Sequence, residues 1–498
     1  MNDFTQLVDL ASERVGGRVL AANDEFFAPR DNLLKPAKPV WIEDKYTDRG
    51  KWMDGWETRR RRTPGFDWCI VQLGIPGILR GVVVDTSFFK GNYPEQCSIE
   101  TCALADDARV EEVSSDTIRW AEVFPKSILK GDTQNCFEIG DSHRYTHLRF
   151  NIYPDGGVAR LRVHGEALPD WKRVLALAEA ACIDLAAITN GGRVLDCSDK
   201  FFSAPQNLLM PARSAHMGDG WETRRRRGPG HDWVTIRLGI AGVLRQVEVD
   251  TSHFKGNFPE SCSLEVCDGA GSPHAWKEVL PRTLLQADSV HRFDITDGAS
   301  ASHVRFNIYP DGGVARLRIY GVPTPEGRIA EGLRGLNALP DEAARAALLN
   351  CCGSSTWAER VRARRPFHDA AQLLDAAREL WEKLGKNDWL EAFSHHPKIG
   401  ERKAAGGPPE EAQRWSEQEQ CSVANSAPHL LDELAAANQR YQERFGYIFI
   451  VCASGKSTEE MLALLGKRMK NDPETELRVA AGEQQKITRL RLEKMLEL

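Results

Sequence analysis

The 498-residue chain lacks any stretch approaching the roughly 18 consecutive apolar residues of a membrane span, so no membrane-crossing helix is expected. It lacks a Cys-x-x-Cys pair and a His-Glu-x-x-His motif, which leaves a structural zinc or a zincin-type protease without support. It also lacks a strong charge of either sign. With 65 Lys and Arg against 71 Asp and Glu, the net charge is -6 and the isoelectric point is near 6.2. That balance argues against a general nucleic-acid binder. The opening residues MNDFTQLVDLASERVGG contain acids and no basic end followed by an apolar run, and the last residues, EKMLEL, are not a Ser-Lys-Leu signal. A cytoplasmic location is therefore expected.

What is present is ordinary for a globular protein: 42% hydrophobic and 27% charged residues. The length calls for about three domains. Twelve cysteines are scattered without a framework. Cys97 and Cys102 recur as Cys262 and Cys267 in strand-like surroundings. Positions i and i+5 of a strand face opposite sides, so neither a disulfide nor a shared metal fits, and reduced thiols are expected.

The chain repeats itself. GGRVLAANDEFFAPRDNLLKP from Gly16 returns as GGRVLDCSDKFFSAPQNLLMP from Gly191. GWETRRRR occurs at Gly55–Arg62 and again at Gly220–Arg227. DTSFFKGNYPE from Asp85 returns as DTSHFKGNFPE from Asp250, and RFNIYPDGGVARLR from Arg149 returns from Arg305. Two homologous domains follow, 1–165 and 166–325. Short β-branched runs such as DWCIVQLG, GVVVDTSFF and ARLRVHG, bounded by turn residues, predict antiparallel β-sandwich or jelly-roll folds. A helix over Val174–Ile188 is expected to join them.

The texture then changes. PTPEGR reads as a linker, and AAQLLDAARELWEKL and LLDELAAANQRYQERF have the i, i+3, i+4 spacing of amphipathic helices. Ser457 with Glu460 predicts a capping box, and Asp472-Pro473 an N-cap followed by Pro at the first helical position. Residues 330–498 thus read as an all-α domain, and the whole as multidomain β + α.

Several residues are suited to chemistry. Arginine forks of the octamer suit carboxylate or ureido oxygens, although on a strand alternate arginines would face opposite ways. An exposed basic strand is the plainer reading. The copies differ where Phe66 becomes His231 and Phe88 becomes His253, and a site moving protons near neutral pH gains from histidine. In the α part, FSHHPKIG places His395 and His396 before a turn, and WSEQEQ puts Ser416, Glu419 and Gln420 on one helix face. FGYIFIVCASGKS reads by itself as a core helix with a small-residue end. It is no phosphate loop, since Ile450 stands where the first glycine is required.

The paired GWETRRRR, DTSxFKGN and NIYPDGGVAR blocks resemble the allantoicase family over residues 16–321. That resemblance implies two galactose-binding-like β-sandwich domains that hydrolyse allantoate to ureidoglycolate and urea. The expected set in the second copy is Glu222, Arg224, Arg226, His231, Asp250, His253 and Lys255. A divalent metal is left open, with His231 and His253 as eligible ligands. HPxIG, SxxEQ, FGYxFIxxASG, Arg468–Asp472 and KIxxLRL resemble the decarboxylase of 2-oxo-4-hydroxy-4-carboxy-5-ureidoimidazoline (OHCU) over 335–498. By that pattern His396 is the acid/base. Glu419, Ser416 and Gln420 meet the substrate's polar groups, Pro397 lines the site, and Arg491 anchors an oxyanion or carboxylate. No cofactor is implied there. The resemblances together imply a bifunctional purine-catabolism enzyme acting on small ureido carboxylates, with no nucleic-acid or membrane partner, forming a homo-oligomer. A separate allantoinase would supply the step between. A ligand- or carbohydrate-binding β-sandwich pair with a helical oligomerisation tail, or activity in one part alone, are the alternatives.

Overall fold

The computed structural model describes residues 4–105, 108–115, 117–177, 182–269, 276–396 and 428–497. It divides into two units, Met1–Arg328 and Ile329–Leu498.

The first unit holds the two β repeats. Counting principal strands only, the first repeat has β1 (Asp67–Asp85), β2 (Gln96–Cys102), β3 (Ala121–Ile128), β4 (Arg144–Tyr153) and β5 (Arg160–Ala167). The second has β6 (Asp232–Asp250), β7 (Ser261–Cys267), β8 (Lys277–Leu284), β9 (Ser300–Tyr309) and β10 (Arg316–Pro323). The strand order is β5-β1-β4-β2-β3 in one and β10-β6-β9-β7-β8 in the other. Both sheets are antiparallel throughout. β1 and β6 are 19 residues long because each serves two sets of neighbours. Asp67–Gln72 pairs with β4 and with Arg18–Ala22, whereas Gly77–Asp85 pairs chiefly with β5 and Gln134–Glu138. The register breaks where Gly74-Ile-Pro-Gly77 falls, and Pro76 has no N–H for a ladder bond.

Cys97 and Cys102 lie at opposite parity on β2, opposite Ile152 and His147. The cysteines of the described residues are free thiols. Burial pushes Cys97, Cys102 and Cys262 up to about 12.

Two expectations about connections change. The helix near the repeat junction is Trp171–Leu177, and Ile183–Asp184 is a strand on β10. It reproduces Val8–Asp9 on β5, so sheet pairing outweighs the helical pattern there. PTPEGR ends where the two units divide, but it forms the end of a strand and the start of a helix and not a loop. Pro325 opens helix α1 (Pro325–Asn337), with Thr324 accepting from the Gly327 amide (3.1 Å).

The second unit continues with α2 (Asp341–Cys352), α3 (Ser355–Arg362), α4 (Ala370–Glu382), α5 (Lys386–Ser394), α6 (Pro428–Phe445), α7 (Thr458–Arg468) and α8 (Pro473–Leu496). The Ser457–Glu460 capping box and the Asp472-Pro473 start are formed. Trp357 and Trp381 are buried and donate to the Ala377 and Ala481 carbonyls (both 3.0 Å), which ties α3 to α4 and α4 to α8.

The apolar run after α6 is extended and not a helix. Phe449, Val451 and Ala453 enter one core while Ile450 and Cys452 enter another. That alternation has the period of two that only extended backbone supplies. Side chains satisfy its main chain in place of a ladder. Asn438 accepts from the Phe449 amide (3.1 Å), Arg468 donates to the Ile450 carbonyl (2.7 Å), and Glu483 accepts from the Cys452 amide (2.8 Å). Glu476, fully buried, holds Arg468 (2.7 Å), Asn471 (2.7 Å) and the Tyr441 hydroxyl.

Candidate functional site

In each β repeat the three repeated blocks converge. Only Trp-Glu of the octamer is strand; Trp56–Glu57 pairs with Gly157–Val158, and Trp221–Glu222 with Gly313–Val314. Beyond it the amides of Arg59 and Arg61 donate to the Asp24 (3.1 Å) and Asp155 (2.8 Å) carboxylates, so the arginines leave the ladder. Their side chains are also committed. Arg59 pairs with Asp24 (2.6 Å) and Arg61 with buried Asp67 (2.6 Å). The second copy repeats both, with Arg224 on Asp199 (3.1 Å) and Arg226 on Asp232. Arg224 and Arg226 are thus bracing residues in a pattern common to both copies, and Arg60, Arg62, Arg225 and Arg227 stand exposed beside them.

The next block meets the glutamate of the octamer. Asn92 donates to Glu57 (2.7 Å), and Asn257 to Glu222 (2.6 Å). The Pro-Asp-Gly-Gly turn closes the group, since the Gly157 amide donates to the Asn92 carbonyl (2.7 Å) and the Gly313 amide to that of Asn257 (2.8 Å). Gly156 and Gly312 have φ of +143° and +137°, where L side chains are strained. A Cβ on Gly157 or Gly313 would lie 1.9 Å from the ring of Phe89 or Phe254.

The copies part company around this shared core. The first repeat carries extra residues between Pro39 and Met53, including the strands Tyr46–Thr47 and Gly50–Lys51. They wall a cavity of about 660 Å³ lined by Trp41, Lys51, Met53, Glu57, Phe88, Lys90 and Asn92. Burial holds the Glu57 carboxyl above its ordinary value, opposed by the Asn92 hydrogen bond.

The two histidines of the second repeat have separate partners. The His253 Nε2–H donates to the Ser214 carbonyl (2.9 Å), and its backbone φ is +72°. His231 Nε2 meets Asn307 Oδ1 (3.3 Å), and Asn307 in turn donates to Ser263 (3.1 Å) and Glu265 (3.1 Å). In the first copy Phe66 stands at that place, and Asn151 Oδ1 is buried without a partner. Asp250 is buried and accepts from the Ser252 amide (2.7 Å), and Lys255 lies 4.0 Å from Asp288. Among the described residues no group of three or more His, Cys, Asp or Glu side chains could hold a metal ion.

In the helical unit His396 follows α5. Its Nε2 meets Gln484 Oε1 at 2.7 Å. Arg491, about two turns beyond Gln484 on α8, is also buried. Burial first, then the Arg491 charge and His395, push His396 down to about 3 against the opposing Gln484 bond, which keeps the ring neutral near pH 7. His395 is held apart, its Nδ1 on the Glu391 carbonyl (3.0 Å).

The allantoicase repeat family model matches residues 8–168 and 183–324. The chain belongs to the allantoicase family. The OHCU decarboxylase family model matches residues 337–493, behind the allantoicase repeats. A probable allantoicase of Pseudomonas aeruginosa (strain UCBPP-PA14) is 47% identical over 330 residues, which are 64% of this chain and 97% of that protein. The crystal structure of allantoicase from Saccharomyces cerevisiae is 35% identical, with a TM-score of 0.54, covering 63% of this chain and 92% of that one. A crystal structure of OHCU decarboxylase with (S)-allantoin is 37% identical, with a TM-score of 0.27, covering 32% of this chain and 98% of that one. The chain therefore joins allantoicase and OHCU decarboxylase domains of purine catabolism in one polypeptide. Among the described residues no helix is long and apolar enough to cross a membrane.

Of the expected decarboxylase residues, His396 and Arg491 lie in the described part, whereas Pro397, Ser416, Glu419 and Gln420 lie outside the described residues. Sequence reasoning did not single out Gln484, whose only mark is its place just before the KIxxLRL stretch of α8. It also passed over Glu57 and Asn92. The signal for both was available, because they stand in the same repeated blocks as Glu222 and Asn257.

Proposed function

We propose that the allantoicase repeats hydrolyse allantoate to (S)-ureidoglycolate and urea, and that the helical domain decarboxylates OHCU to (S)-allantoin and CO2. The observation supporting the first reaction most directly is the convergence of all three repeated blocks on Glu57–Asn92 and Glu222–Asn257. Allantoate is a small carboxylate with two ureido arms on one carbon. A carboxylate such as Glu57 or Glu222 accepts ureido N–H bonds, and lysines and exposed arginines beside it suit the substrate carboxylate. Hydrolysis breaks one C–N bond, with water giving its hydroxyl to the carbon and a proton to the departing urea nitrogen. The Glu57 cavity supports a part for the first repeat in this chemistry. In the second, His231, His253, Asp250 and Lys255 remain the proposed set.

For the decarboxylase domain the proposed set is His396 as acid/base, Glu419, Ser416, Gln420 and Pro397 around the substrate, and Arg491 at its anion. Breaking the C–C bond leaves an electron pair on a ring carbon, which the adjoining unsaturated ring stabilises until a proton arrives. The test is urea release from allantoate and CO2 release from OHCU by the full chain, with and without chelator. Absence of either product removes that half of the proposal. Chelator sensitivity of urea release alone would show that a metal acts in the β part.

A further inference from the structure

We propose that Gln484 is a positioning residue that fixes His396 as its Nε2–H tautomer and leaves Nδ1 as the ring's only proton acceptor. The inference rests on the decarboxylase reading for its catalytic consequence, but its structural content stands on the hydrogen bonds alone.

Gln484 is fully buried on α8, and its amide has three partners. Its Nε2 donates to the Cys352 carbonyl (3.2 Å) and to the Thr488 hydroxyl (3.3 Å), while Oε1 faces His396 Nε2 (2.7 Å). The Cys352 carbonyl can only accept, so turning the amide over would set two acceptors against each other. Oε1 must therefore point at the imidazole, and Oε1 too can only accept. The proton of the neutral ring consequently sits on Nε2, and Nδ1 carries the lone pair. The α2 carbonyl, through a single glutamine, thus decides which nitrogen of a histidine beyond the end of α5 acts as the base.

The charged and titratable groups around the ring agree with this state. Arg491 from α8 and His395, just past α5, both oppose a positive His396. The Cys352 thiol, at the end of α2, is pushed up to about 12 by burial and stays neutral. Glu391 on α5 is occupied, accepting from the Ser355 amide (3.2 Å). In the free enzyme His396 thus begins as a proton acceptor. It can return a proton to a carbanion only after taking one from substrate or water at Nδ1.

The test uses the full chain with ¹⁵N-labelled histidine, the His396 signals being assigned by their loss in His396→Ala. The expected wild-type spectrum shows a neutral ring protonated at Nε2. Gln484→Leu is expected to give a mixture of tautomers and to lower kcat for CO2 release by roughly tenfold to a hundredfold, with KM for OHCU nearly unchanged. Gln484→Glu keeps the acceptor and adds a negative charge. It should retain the Nε2–H form, raise the pH at which His396 charges, and bring an acid limb into the kcat/KM profile toward neutrality. A wild-type ring protonated at Nδ1, or an unchanged tautomer in Gln484→Leu, would overturn the proposal. Should Gln484→Leu fail to fold, the Gln484→Glu titration decides alone, an unmoved His396 overturning it. Wild-type protein that shows the Nε2–H signature but releases no CO2 would sink the decarboxylase reading and leave the tautomer assignment standing.

Discussion

A histidine held well below its ordinary pKa behaves unlike a free one. His396 is pushed to about 3, chiefly by burial and then by Arg491. Decarboxylation should therefore show no acid limb near pH 6.5, where a free histidine charges, as a kcat/KM profile would reveal. The linkage sign follows from the same depression. Between about 6.5 and 3 the unfolded chain takes up a proton that the folded chain refuses, so this residue's contribution to stability is lost as pH falls through that window. His396→Ala should cut CO2 release at least a hundredfold while urea release is untouched. Undiminished CO2 release would remove His396 from the acid/base role. In the β part, Glu57→Gln and Glu222→Gln each should lower kcat/KM for allantoate by about tenfold or more. Full activity in Glu57→Gln would remove Glu57 from the chemistry.

Elements explain why the repeated blocks look as they do. The Pro-Asp-Gly-Gly turn needs its first glycine for a positive φ and its second for close approach to an aromatic ring. Gly157→Ala should cost about 1–3 kcal/mol in denaturant unfolding, because the Phe89 ring cannot step back within a packed core. The same substitution at Gly313, against Phe254, should cost about as much. A much smaller loss at either would show that the ring moves freely. The extended run 449–453 is held by side chains, and Glu476 is the hub of its support. Glu476→Gln leaves the buried Arg468 charge without its counter-ion and should destabilise the helical unit by about 3–5 kcal/mol.

At the scale of the whole chain, the two units have their own cores and their own candidate sites. Residues 1–328 expressed alone should fold and release urea at a rate close to that of the full chain, and a variant dead at His396 should do the same. If the fragment unfolds, or is inactive while the full chain works, the β repeats depend on the helical unit.

The sequence by itself determined the β, β, α order, the repeat and the caps, because these are local: periodicity, turn chemistry and capping residues act within a few positions along the chain. It also marked His396 and Arg491, though their grouping with Gln484 is a contact across helices and left no local trace. Only the tertiary structure decided that the octamer arginines at 59, 61, 224 and 226 are braces, since their aspartates stand far away in sequence at 24 and 199 or across the turn at 67 and 232. Packing likewise turned 449–453 from an apparent core helix into an extended strut. An apolar run buried on every side gives helix and strand the same pattern, and the choice falls to whichever neighbours can satisfy its main chain.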